Sequence, residues 1–426
     1  MFTVQRSIGE LAAHYQRVRQ QTVKLCKPLH PEEYLVQPTP NTSPPKWHLG
    51  HTTWFFENFI LAAYCPGYDL YAPDWNFYFN SYYESQGRMV PKEERGFIGR
   101  PATEEVLAYR KHVDAHLVHF LQELPEEHAD TVEQLITLGI HHEQQHQELL
   151  VYDVKYAMGH NPYFPVYHTG SPDGAPRANA RPMEYLEFPG GLYETGNDGH
   201  HGFCYDNETS RHQSYLYPFA IADRLLTNGE YLEFVEAGGY RDYQWWHADG
   251  WDWVQQNGIE APLYWRKSES GWQEYTLGGL APLMLDAPVN HVSYYEAWAC
   301  AQFFGKRLPS EAEWEVACVH SEPTIPEAAN LMESGYLDTR PVKLKGETQF
   351  YGHVWEWTES AYLPYPYYKR PEGALGEYNG KFMVNQMVLR GGSAATPASH
   401  VRATYRNFFY AHDRWQYAGI RLAESR

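Results

Sequence analysis

The segment LGIHHEQQHQELL, residues 138–150, concentrates three histidines, three glutamines and two glutamates. On an α-helix His142 and His146 project from one face, and two imidazoles four residues apart can grip one metal ion. His141 points about 100° away around the helix, outside that grip. So many polar groups at mid-helix, Glu143, Gln144, Gln145 and Glu148 among them, predict a wet or liganded cavity. The segment also reads H-E-x-x-H, the zinc-helix pattern of metalloproteases. That reading needs a third ligand. An elongated protease pattern would place glycine at 149 and histidine at 152, where the chain has Leu149 and Tyr152, and residues 154–183 contain no glutamate. A third histidine lies upstream instead, in KWHLGHTTWFFE, where His48 and His51 stand three apart and either could face His142 and His146. Three neutral imidazoles without a carboxylate leave positions open on a metal. With iron, O2 and a substrate can bind together; with zinc, a thiol or water is activated. Spacing alone does not choose between these.

Four long amphipathic segments could position such a cluster. Residues 7–29 show helical spacing of Ile8, Leu11, Tyr15, Val18 and Leu25, with Ser7 as N-cap. After a proline-rich loop, residues 46–64 predict a second helix with proline at its first turn. Residues 103–124 predict a third, capped by Thr103, and 129–158 a fourth that carries the histidine segment. With one long crossover at 65–102, the pattern predicts a helical bundle. The texture changes at 159–185 to Gly, Pro, Asn and His. Beyond it come short strand-like runs, YLEFPGGLYETG, SYLYPFAIADRL and MVLRGGS, with helical insertions at TNGEYLEFVEAGG and SYYEAWACAQFFG. We therefore expect an α+β multidomain chain: 1–160 a helical bundle with the metal histidines, 161–185 a linker, and 186–426 a mixed domain with little regular structure.

Composition narrows the class of partner. The net charge of −19 argues against a backbone-driven nucleic-acid binder, which needs clustered cations. Small-molecule substrates fit better, and the 35 Tyr, 19 Phe and 14 Trp suit either loop-rich packing or cationic and planar ligands. Five scattered cysteines without C-x-x-C indicate a reducing compartment. The N-terminus has no apolar leader and no run spans a membrane, so a cytoplasmic location is expected.

With W-H-x-G-H at 47–51 and H-E-x-Q-H-Q-E at 142–148 assembled, the chain resembles the ergothioneine-biosynthesis sulfoxide synthases of the EgtB type. In these a DinB-like four-helix bundle precedes a domain similar to formylglycine-generating enzymes, with a C-type-lectin-like fold. The resemblance runs over nearly the whole chain through PVNHVSYYEAWACAQFFGKRLPSEAEWEVA, YGHVWEWTES, VLRGGS and RATYRNFF…RWQYAGIRLA. It implies iron ligands at His51, His142 and His146, leaves His48 for packing, and gives Gln145 to the histidine-derived substrate. It implies Fe(II), with O2 as co-substrate, joining the sulfur of cysteine or γ-glutamylcysteine to imidazole C2 of hercynine as a sulfoxide. Tyr82 and Tyr83 in WNFYFNSYYES match the tyrosines of the cysteine-accepting branch, and one of them is expected to supply a proton. A thiol carboxylate suits a guanidinium fork, for which Arg95 and Arg100 are candidates. Asn407, Asp413, Arg414 and Trp415 are candidate contacts from the second domain, although Asp413 and Arg414 could simply pair with each other. GKRLPSEAEWE is read as fold-building, with Gly305 a helix C-cap and Ser310 and Glu313 a capping box.

Formylglycine-generating enzymes work through a cysteine pair in their C-terminal part, but nothing after Cys318 is a cysteine. The second domain is therefore read as a lid and substrate platform. Selenoneine synthases, ovothiol-type 5-histidylcysteine sulfoxide synthases and a zinc-dependent DinB-type thiol transferase are the competing readings. A homo-oligomer is compatible with the sequence.

Overall fold

The computed structural model describes residues 8–81, 83, 86–168, 180–200, 202–341, 348–371, 376 and 378–426. It divides into two compact units. The first comprises the chain up to His160 with short stretches at Phe203 and Gly376, and the second the remainder.

In the first unit α1 (Ile8–Cys26) turns Leu11, Tyr15, Val18, Thr22 and Leu25 inward, the three-and-four spacing of one helical face. α2 (Pro45–Phe56) is different: every one of its residues is buried, so it is the central helix of the bundle. Proline at its first position costs nothing, because that N–H has no intrahelical partner. The helix widens into a π turn at Glu57–Leu61 and ends as α3 (Ala62–Tyr64). Glu57 anchors that turn, accepting Tyr68 Oη at 2.8 Å, the Tyr71 N–H at 2.9 Å and Tyr109 Oη at 2.5 Å. The crossover carries the short α4 (Trp75–Phe79), and α5 (Thr103–Gln122) and α6 (Ala129–Gly159) complete the bundle. Thr103 is the first helical residue of α5 rather than its cap. The preceding Ala102 N–H is held instead by Glu105 Oε2 at 2.7 Å.

Two glycines permit the close approaches on which α2 depends. A Cβ on Gly50 would stand 2.1 Å from the Phe79 ring, and one on Gly139 would stand 2.5 Å from Phe56. Both glycines are therefore required by packing and not by turn geometry.

The second unit begins with β1 (Tyr185–Phe188), β2 (Gly191–Thr195), β3 (His212–Leu216) and β4 (Phe219–Ala222). Helices α7 (Asn228–Glu236) and α8 (Ala248–Asn257) precede the meander β5 (Trp265–Ser268), β6 (Gly271–Thr276) and β7 (Gly279–Pro282). Then come α9 (Tyr294–Phe303), α10 (Glu311–Ser321), β8 (Trp355–Ala361), β9 (Gln386–Arg390), β10 (Asn407–Tyr410), β11 (Ala418–Gly419) and β12 (Ala423–Ser425). The strands form small sheets ordered β1-β4-β12, β10-β9-β8-β11, β2-β3 and β5-β6-β7. All three strand-like runs read from sequence contain strands, and both helical insertions are helices; α8 was not anticipated. The tract before β1 is tied to this unit, with Tyr167 and His168 N–H both donating to the Leu277 carbonyl.

Ser310 and Glu313 form the expected capping box, and Gly305 takes the left-handed conformation that follows α9. Trp314 is wholly buried and donates to Glu356 Oε2 at 2.7 Å, the carboxylate that also receives the Arg421 guanidinium. The motif is structural. Among the described residues no helix is long and apolar enough to cross a membrane.

Candidate metal centre

Where α6 faces α2, three imidazoles converge. Ring nitrogens of His51, His142 and His146 all lie within 4.8 Å of one another, and no carboxylate belongs to this cluster. His51 Nε2 and His142 Nε2 stand 3.1 Å apart. With metal–nitrogen bonds of about 2.1 Å, neighbouring ligands of one ion stand about 3.0–3.4 Å apart, so this separation is compatible with two ligands of one ion. Burial lowers the pKa of all three rings, to about 3 for His142. For His51 and His146 the neighbouring imidazoles and the Arg95 charge add to that effect. The rings are neutral at physiological pH, the form that ligates.

The orientation of His51 is set by the main chain. Its Nδ1 lies 2.6 Å from the Phe79 carbonyl, which can only accept, so the proton is on Nδ1 and Nε2 is directed to the cluster with its lone pair. Trp47 stacks on the His51 ring at 4.6 Å and 10°, with Trp54 also stacked at 5.7 Å. His48 is not mere packing: its Nδ1 is 2.8 Å from His146 Nδ1 and its Nε2 is 3.0 Å from Asp153 Oδ2. His141 lies outside the cluster, its ring stacked on Phe203 at 3.9 Å.

The protease-like glutamate is turned away from this face. Glu143 is fully buried among Arg19 at 2.9 Å, Thr22 Oγ1 at 2.5 Å and Arg110. Burial alone would raise its carboxyl, but Arg110, Arg19 and the Thr22 hydroxyl prevail and hold it at about 2. A carboxylate so committed cannot accept a proton from a water near neutral pH. The polar groups that suggested a wet cavity are thus partly an ion cluster: Arg19 also reaches Asp114, and Gln147 donates to Thr22 and to the Val18 carbonyl.

The other expected residues fall into three groups. Arg95 is beside the cluster. Its guanidinium lies over Trp47, 3.4 Å from the ring centroid, and is held by Ser43 and Ser81 at 3.0 Å each. Tyr83 is buried, packed on Trp54 at 5.7 Å and on Phe59 at 5.2 Å. Gln145 is half-buried, one residue before His146. Arg100 is exposed, and Tyr82 lies outside the described residues. In the second unit, Asp413 and Arg414 do not pair with each other, which corrects the simple ion-pair expectation. Asp413 accepts the Tyr410 N–H at 3.1 Å, whereas Arg414 binds Glu296 at 2.9 Å and the Ala261 carbonyl at 3.0 Å. Asn407 Oδ1 caps the Phe408 N–H, and the buried Trp415 ring meets Phe409 edge-on.

Comparison with known families matches this architecture. Residues 14–150 fit the DinB superfamily and residues 171–426 the sulfatase-modifying factor enzyme 1-like domain. The chain is thus a DinB bundle joined to a sulfatase-modifying-factor-like domain. It is 30% identical to the hercynine oxygenase of Mycobacterium tuberculosis, covering 97% of this chain and 98% of that one. The hercynine oxygenase of Mycolicibacterium smegmatis is 29% identical with the same coverage. A formylglycine-generating enzyme of Streptomyces coelicolor is 28% identical over 51% of this chain and 82% of its own length. The chain belongs to the EgtB-type hercynine oxygenase family.

Proposed function

We propose that this protein is a non-haem iron sulfoxide synthase that uses O2 to join the sulfur of cysteine, or of γ-glutamylcysteine, to imidazole C2 of hercynine. The observation that carries this reading is the buried cluster of three neutral imidazoles without a carboxylate, in a chain of this family. His51, His142 and His146 would hold Fe(II), which when bound supplies the redox chemistry that O2 requires and leaves positions open for substrates.

The chain's own residues then supply orientation, charge and protons. The Arg95 guanidinium, fixed by two serines against Trp47, is near enough to depress His51 and His146 and offers its charge to a substrate carboxylate. Arg100 is exposed and is the weaker candidate for that role. Gln145 takes the hydrogen bond to the imidazole substrate, the role that the family resemblance implies for it. The Tyr83 hydroxyl, in a dry aromatic cluster one ring removed from His51, is the proton donor we favour among described residues, with Tyr82 its alternative. Trp415 and Asn407 remain candidate contacts for the trimethylammonium substrate. The protein would act in the cytoplasm.

The test is O2 uptake by Fe(II)-loaded protein with hercynine, with cysteine, γ-glutamylcysteine and a selenosugar offered separately and products identified by mass. Uptake with a sulfoxide-mass adduct from one thiol supports the reading and names the donor. Uptake only with the selenosugar would make it a selenoneine synthase. No uptake with any pair, in protein that retains zinc, would favour a thiol transferase.

A further inference from the structure

We infer that Asp153 and His48 form a buried relay that fixes the tautomer and direction of His146, making both positioning residues of the metal site. Asp153 lies seven residues beyond His146 on α6, two turns along the same face, and His48 lies on α2, three residues before His51. His48 and Asp153 are 2% and 5% exposed, so water does not compete for these bonds.

The chain of donors has one direction. Asp153 Oδ2 accepts the Ser43 main-chain N–H at 2.8 Å, an interaction that cannot be reversed. The same oxygen faces His48 Nε2 at 3.0 Å, and as a carboxylate it can only accept, so Nε2 carries the proton. In neutral His48 the other nitrogen is then an acceptor. It stands 2.8 Å from His146 Nδ1, which must donate, and this leaves the lone pair of His146 on Nε2, the atom free for a metal. His51, by contrast, ends on a neutral acceptor, the peptide carbonyl of Phe79. Here the relay ends on an anion instead, and an anionic terminus makes the ligand imidazole a stronger electron donor.

This inference rests on the metal reading above, and the experiment separates the two. Co(II) would be titrated into wild-type protein and into His48→Phe, His48→Asn, Asp153→Asn and the His48→Phe/Asp153→Asn double variant. Affinity and the visible Co(II) absorption bands are read out, with circular dichroism of each apoprotein as the folding check. His48→Phe is expected to weaken Co(II) by about 10–100-fold and to shift the bands. Asp153→Asn, which keeps an oxygen but removes the charge, should weaken it in the same direction. His48→Asn, whose side-chain oxygen can accept from His146, should recover much of the loss. The double variant should be no worse than His48→Phe alone, because Asp153 acts through His48. Unchanged affinity and bands in folded His48→Phe and Asp153→Asn would overturn the relay. So would losses that multiply in the double variant, or a loss in His48→Phe as complete as in His51→Ala, which would make His48 a ligand. A wild-type protein that binds no metal would overturn the metal reading itself.

Discussion

Helix α6 presents two polar faces that differ in how burial is made tolerable. On one, His142 and His146 are kept neutral and close together; on the next residue, Glu143 is kept charged by two guanidiniums and a hydroxyl. Both faces are largely buried. The first gathers neutral imidazoles around one point, at some cost in stability, and the second commits its carboxylate to two guanidiniums and a hydroxyl. The comparison shows why H-E-x-x-H here is not a protease helix: its histidines and its glutamate belong to different sites.

The largest effect that would test this division is on metal content. His51→Ala, His142→Ala or His146→Ala should abolish Fe(II) binding, measured as iron per folded chain, with circular dichroism of each apoprotein as the folding check. Normal iron in His51→Ala would break the assignment. Next, Glu143→Ala leaves Arg19 and Arg110 uncompensated and should destabilise the fold by about 3–5 kcal/mol in urea titration. Glu143→Gln protein that remains folded should still take up O2 at a rate within a few-fold of wild type. Complete loss there, with iron retained, would give Glu143 a chemical role after all.

A smaller effect concerns packing. Gly50→Ala drives a methyl into Phe79 and should cost about 1–3 kcal/mol, with weaker metal binding because Phe79 supplies the acceptor for His51. The mildest is the pH dependence of the apoprotein. The cluster histidines have lowered pKa values in the fold, about 3 for His142, against about 6.5 unfolded. Below pH 6.5 the unfolded chain therefore binds protons that the folded chain refuses, and stability should fall as pH drops toward 3. His142→Ala should flatten that slope.

How much of this was legible in sequence depends on the range of each contact. His142 and His146 are four residues apart on one helix, so their convergence followed from helical periodicity. The choice of His51 over His48 came from family resemblance. Glu143 was misread as lining a wet cavity because its partners, Arg19 and Arg110, arrive from other helices, and no local pattern announces them. His48 was left to packing for the same reason, although Asp153, two turns along the face from His146, was a visible signal. In the second unit the Ser310–Glu313 capping box was legible because it closes within three residues. The partner of Arg414, Glu296, lies 118 positions away and was not.

The contact that aims His51 governs how such a protein would wear out. The acceptor that aims His51 is a peptide carbonyl in the short α4, and no substitution at position 79 other than one that displaces the backbone can delete it. The acceptor itself is therefore independent of which side chain stands at 79, although the buried Phe79 ring is not. Heat is another matter: a five-residue helix has little stability of its own, and when it frays the ring loses its aim while the bundle stays intact. Loss of activity should then precede loss of helical circular dichroism on warming, and it should reverse on cooling.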